Sequence, residues 1–165
     1  MKGSRAPGFA RPRRHAFTLI EMLVVITIIM ILASLLIPTV MKAICNGKQA
    51  TMESLLSSLD QACSMYESDQ GIYPESNASF DTSILVKALT KASKRNSPYY
   101  EFKTSQIDQA NGNIVNSVHT DDDTVKYRNN QMNKDQKAKN LHNKSRVDMW
   151  CKGCDKVADS INNWD

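Results

Sequence analysis

Residues 17 to 38 read FTLIEMLVVITIIMILASLLIP, an apolar run interrupted near its start by one carboxylate, Glu21. Phe17 to Ile37 spans 21 residues with that single charged member. As a helix at ~1.5 Å per residue it reaches ~30 Å, the thickness of a bilayer's hydrocarbon core, so the run predicts a membrane-spanning helix. The competing reading is a cleaved secretory signal, which wants an apolar stretch of about 7–15 residues and a small-x-small site after it. Here the run is longer, and Ala33-Ser34 lies inside it.

Residues 1–16 hold Lys2, Arg5, Arg11, Arg13 and Arg14 and no acid. The positive-inside bias keeps such a leader in the cytoplasm and sends everything past Pro38 across the membrane. Those five residues also account for the charge: of 21 basic residues, 16 lie beyond Ala16, against 17 acidic ones, so the net +4 is no argument for a polyanion partner. Residues 129–146, NNQMNKDQKAKNLHNKSR, are polar and read as a solvated loop. Without interleaved aromatics, their lysines favour a wet surface over nucleic-acid contact. Outside the apolar run and its leader there is enough chain for one modest soluble domain.

A carboxylate within a membrane helix costs ~2.5–3.5 kcal/mol near the bilayer centre and less near the interface, so Glu21 asks for a partner. No basic residue within the run can supply one. The nearest candidate is a new α-amino group created by a cut before Phe17, which would also remove the basic leader. Ala16-Phe17-Thr18-Leu19-Ile20-Glu21, behind a short basic leader and opening a long apolar helix, resembles the processing motif of type IV pilins and type II secretion pseudopilins. The resemblance implies cleavage of the Ala16–Phe17 bond by a membrane prepilin peptidase and methylation of Phe17. It also implies that Glu21 neutralises the amine of a neighbouring subunit during filament assembly. The family usually has Gly before the cut, where this chain has Ala16.

Pro38 either ends the helix or kinks it. A kink is expected, because Met52, Leu55, Leu56, Leu59, Ala62, Cys63 and Tyr66 resume helical spacing and form an apolar stripe. Gly71 fits a helix stop, with Tyr73-Pro74 unable to continue it. Ile84, Leu85, Ala88 and Leu89 predict a short helix, and Tyr99 to Phe102, Ile114 to Val118 and Thr124 to Tyr127 predict strands. The expected fold is α+β: a long N-terminal helix packed against a small antiparallel sheet. Four segments follow: a leader at 1–16, a membrane and filament-core helix at 17–37, an amphipathic second half at 38–70, and an extracytoplasmic domain at 71–165. Tyr66, Gly71, Tyr73 and Pro74 also resemble the segment that leaves the long helix in major pseudopilins.

Asp148-x-Trp150, Gly153-x-Asp155 and Asp159-x-Ile161-x-Asn163-Trp164 resemble the ending of major pseudopilins, whose terminal loop binds calcium. Hard cations take several oxygens, and Asp155, Asp159 and Ser160 with nearby carbonyls could supply them. A metal-free turn capped by Asp is the alternative. Asp121-Asp122-Asp123 is a rival cluster, though such runs are more often solvated. Cys151-Lys-Gly-Cys154 lacks the βαβ context of a redox motif, and on the extracytoplasmic side a structural Cys151–Cys154 disulfide is the expected reading. Cys45 and Cys63, ~27 Å apart along one helix, cannot pair with each other and are expected to act as small apolar residues.

The three histidines, His15, His119 and His142, are scattered, and neither a nucleophile elbow nor a phosphate loop is present, so no enzyme is expected. The expectation is a prepilin-like subunit of the bacterial inner membrane, polymerised into a secretion pseudopilus. Its partners would be the prepilin peptidase and methylase, other copies of itself, minor pseudopilins, the inner-membrane assembly platform and lipid. The alternatives are a type IV pilus subunit or an anchored binding protein that never polymerises.

Overall fold

The computed structural model describes residues 17–91, 93–94, 96–118, 123–131, 142–143, 146–154 and 161–164. The leader with Ala16, most of the polar 129–146 segment, Asp121, Asp122, and the 155–160 segment lie outside the described residues. Helix α1 runs Leu19–Gln70 and α2 runs Ser83–Thr90. A 3-10 turn at Thr104–Gln106 follows, then strands β1 (Lys126–Asn129), β2 (Val147–Cys151) and β3 (Ile161–Asn162). The chain divides into two units at Met41.

In the first unit the side chains of 17–41 are exposed almost throughout, from Val24 at 46% to Leu19 at 83%. Its best window has a mean hydropathy of 2.8, and among the described residues α1 is the one helix long and apolar enough to cross a membrane. The hydroxyls in this stretch are bonded within the helix: Thr27 Oγ1 donates to the Val24 carbonyl, Ser34 Oγ to Ile31, and Thr39 Oγ1 to Leu36, all at 2.7–2.8 Å. Such back-bonding removes the cost of placing a bare hydroxyl in hydrocarbon. Pro38 sits inside α1 rather than at its end.

The second unit is built on the apolar stripe. Met52, Leu55, Leu56, Leu59, Ala62 and Cys63 are all buried, and Tyr66 packs against them half-buried. Helix α1 stops where expected: Gly71 adopts φ +81°, and its N–H donates to the Glu67 carbonyl at 2.7 Å. Helix α2 adds Leu85 and Leu89 to the same core, and the sheet adds Tyr127, Val147, Met149 and Ile161.

The strands differ in part from the expectation: the end of the Thr124 to Tyr127 segment opens β1, but the others do not form as expected. Neither Tyr99–Phe102 nor Ile114–Val118 is a strand; Ile114 and Val115 make single bridges to Ile107 and Thr124. The sheet is β1-β2-β3, antiparallel throughout, with Tyr127 opposite Met149 and Cys151 opposite Ile161. Two of its strands thus come from the last 20 residues, where a buried Asp148 breaks the apolar alternation that marks a strand. Asn129 and Asn130 open the segment read as a solvated loop, yet they are 2% and 1% exposed. Asn129 Nδ2 donates to the carbonyls of Tyr73 and Pro74, and Tyr127 OH also donates to Pro74, at 2.7 Å. These bonds staple the chain leaving α1 onto β1, and they satisfy polar groups that would be costly if buried bare.

The cysteine pairing also needs correction. Cys154 is bonded to Cys45, 109 residues away, with their Cα atoms 6.0 Å apart, while Cys63 and Cys151 are buried free thiols. The expected Cys151–Cys154 bridge is therefore absent. Strand alternation is the reason: Val147, Met149 and Cys151 share the face of β2 that enters the core, whereas Cys154 lies in the turn beyond the strand. Cys45 is accordingly a bridge residue and not a mere apolar filler.

Candidate functional site

The head of α1 is the first candidate. Phe17 and Thr18 precede the helix, and Phe17 is 71% exposed. Thr18 N–H and Thr18 Oγ1 both donate to Glu21 Oε2 at 2.8 Å, and Glu21 N–H donates back to Thr18 Oγ1 at 3.3 Å. This is a capping box: the Thr oxygen takes a donor left without a helical partner, and the Glu carboxylate takes the donor of the cap itself. No basic residue lies within the apolar run to meet Glu21, and the structure provides two neutral donors from Thr18. Thr18-x-x-Glu21 is the signature of such a box and was legible in the sequence. A carboxylate in the first turn is also favoured by the helix dipole.

The C-terminal residues form the second. Asp148 on β2 is fully buried and meets Arg128 Nη2 on β1 at 2.5 Å. Burial pushes its carboxyl up, but the Arg128 guanidinium, the N–H groups of Asn143 and His142 and the Asn130 amide outweigh that and hold it below the ordinary Asp range. The Arg128 guanidinium lies over the Phe80 ring at 5.8 Å and the Trp150 ring at 5.5 Å. Trp150 neighbours Trp164 at 6.1 Å, and Trp164 stacks on His142 at 4.1 Å. Both tryptophans of the pseudopilin-like ending therefore belong to one aromatic cluster around an ion pair.

Asp60 on α1 ties the ending down. Its carboxylate receives Arg146 Nη2 at 2.5 Å and Asn163 Nδ2 at 3.2 Å. Asn163 also bonds β2, accepting from the Met149 N–H and donating to the Val147 carbonyl. Asp123, of the rival oxygen cluster, accepts from Asn116 Nδ2 and the Lys152 N–H. It works as a local fastening. Among the described residues no group of three His, Cys, Asp or Glu is placed to hold a metal; Asp155, Asp159 and Ser160 lie outside them.

The prokaryotic N-terminal methylation motif matches residues 11–37, the stretch from the basic leader to the end of the apolar run. Three curated relatives, each named type II secretion system core protein G, are similar beyond it. The protein from Pectobacterium carotovorum subsp. carotovorum is 32% identical over 58% of this chain and 61% of its own. That of Escherichia coli (strain K12) is 37% identical over 49% and 54%, and that of Aeromonas hydrophila 36% over 44% and 50%. The chain thus carries the methylation motif and is similar to type II secretion system core protein G.

The matches span only about half to three-fifths of the relatives' length. No solved structure matches the chain. The long apolar helix is of membrane-anchoring length and composition, and the α+β arrangement of α1 with a three-stranded antiparallel sheet is pilin-like. Phe17 and Glu21 lie within the matched motif at the head of the long apolar helix.

Proposed function

We propose that this chain is a pseudopilin, cut between Ala16 and Phe17, N-methylated on Phe17, and polymerised through α1 into a type II secretion pseudopilus that drives protein export. The observation that carries the reading is the methylation motif at the head of a membrane-length helix that continues, unbroken through Pro38, into the core stripe of a folded unit. The relatives' names favour secretion over a surface pilus. The role is structural and involves no catalytic residue.

In this reading the leader faces the cytoplasm and the unit from Lys42 onward lies outside it, with the subunit held in the inner membrane before assembly. The Cys45–Cys154 bridge supports that side, since disulfides persist in oxidising compartments. The partners are a prepilin peptidase and methylase, further copies of the chain, minor pseudopilins, the assembly platform and lipid. Thr18 offers Glu21 only neutral donors, so the ammonium of a neighbour's Phe17 adds a charge attraction gained on assembly. Asp155, Asp159 and Ser160 are the proposed ligands of a structural calcium ion.

Mass spectrometry of the natively produced N-terminus tests the processing: methyl-Phe17 is expected, and an intact Met1 would overturn it. Glu21→Ala should block incorporation into filaments; normal incorporation would remove the pairing. Calorimetry on residues 42–165 tests calcium, and an absence of binding heat disposes of that ion.

A further inference from the structure

The bridge of the folded protein joins the first and fourth cysteines in chain order and passes over Cys63 and Cys151. Chain statistics favour a different pair. Closure probability falls roughly as the 3/2 power of separation, so Cys151 and Cys154, three residues apart, are favoured about two hundredfold over the 109-residue closure before ring strain. Cys45 and Cys63, 18 apart in sequence, trail the short ring about fifteenfold. Once α1 forms they lie ~27 Å apart and cannot bridge. The statistically easy bridge is thus not the one the fold keeps.

We propose that the chain carries its own disulfide-exchange relay, in which a Cys151–Cys154 ring closes first and Cys45 then displaces Cys151 to give the bridge of the folded protein. In the first step an external disulfide takes two electrons from the Cys151 and Cys154 thiols; their sulfurs join, and the oxidant leaves as two thiols. In the second, the Cys45 thiolate attacks Sγ of Cys154, the bond to Cys151 breaks, and Cys151 departs as a thiolate that takes up a proton. The exchange consumes no oxidant. It requires Cys45 beside Cys154, the 6.0 Å Cα separation that arises when α1 and the C-terminal strands share one core.

The fold then blocks the return. Cys151 ends at the close of β2, 2% exposed, and its thiol is pushed up to about 12 by burial and by the negative charge of Asp123. The thiolate is the attacking species, so a thiol held protonated inside the core cannot reopen the bridge. The Cys45–Cys154 bond thereby records that the helix has docked. The class of reaction that must precede it is dithiol oxidation by a disulfide-bearing oxidant.

Oxidative refolding of the full chain tests the relay wherever the protein resides. The chain is reduced and unfolded in urea, returned to detergent micelles with oxidised glutathione, acid-quenched at intervals, alkylated and digested with trypsin. Cleavage after Lys152 separates Cys151 from Cys154, so each pairing gives its own peptide mass. Early samples should carry mainly Cys151–Cys154, replaced later by Cys45–Cys154. Cys45→Ser should stop at the ring, and Cys151→Ala should form Cys45–Cys154 at least tenfold more slowly. If Cys45–Cys154 or a Cys63 pairing is the first bridge in the unsubstituted chain, the relay is overturned. A Cys151→Ala chain that oxidises at the unsubstituted rate overturns it too, and should that variant fail to fold, the time course and Cys45→Ser decide.

Discussion

Replacing both bridge residues, Cys45→Ser with Cys154→Ser, leaves the two buried thiols in place and removes a closure of 109 residues. In the chain-entropy account a loop of ~100 residues restricts the unfolded state by about 4.7 kcal/mol, and measured bridges typically deliver ~2–4 kcal/mol. We expect a loss of about 3 kcal/mol for the unit Lys42–Asp165. At ~2.1 cal/mol/K of unfolding entropy per residue, that lowers Tm by about 10 °C for a unit of this size. The assay is urea unfolding of residues 42–165, oxidised and reduced, beside the double variant. Because the effect acts through the unfolded ensemble, the slope m should also rise, an uncrosslinked chain exposing more surface. The reduced protein and the double variant should coincide. A loss under about 1 kcal/mol with an unchanged m would show that the bridge does not restrain the unfolded chain, and the reasoning fails.

Asp148→Asn removes the counter-charge of Arg128 from a fully buried site and should cost about 3 kcal/mol at pH 7 by urea titration; an unaltered midpoint would sink the ion-pair reading. The Asp148 carboxyl is held below its ordinary range, so its contribution is present above the unfolded Asp value of about 3.9 and drains away as pH falls through the folded one. The Asn variant should accordingly show a flatter acid limb. Leu59→Ala, at a site with no exposure, should lose about 3 kcal/mol through a cavity, and a loss below about 1 kcal/mol would mean the stripe is not packed. Gly71→Ala meets no atom within 4 Å, so its expected cost of about 1 kcal/mol is purely that of φ +81°, and Gly71→Asn should recover part of it.

Much of α1 was legible beforehand. The six stripe residues from Met52 to Cys63 were marked by spacing alone and are all buried, and α2 and the Gly71 stop lie where local signals put them. Of the strands, β1 was legible in part through Thr124 to Tyr127, but β2 was not, because it hides a carboxylate among apolar residues and is tolerable only with Arg128 opposite it. Asn129 looked like loop for the same reason: its amide is affordable in the core only because two carbonyls of the 73–74 segment receive it.

Length, periodicity and local stop signals, which act within a few turns of chain, were enough to determine the long apolar helix, the stripe and the helix stop. Which sulfur Cys154 takes, which carboxylates go under, and which segments pair into the sheet were decided only by the tertiary structure. Each of those outcomes is a contact between residues 10 to 109 positions apart, whose free energy depends on groups that become neighbours only after the core has closed.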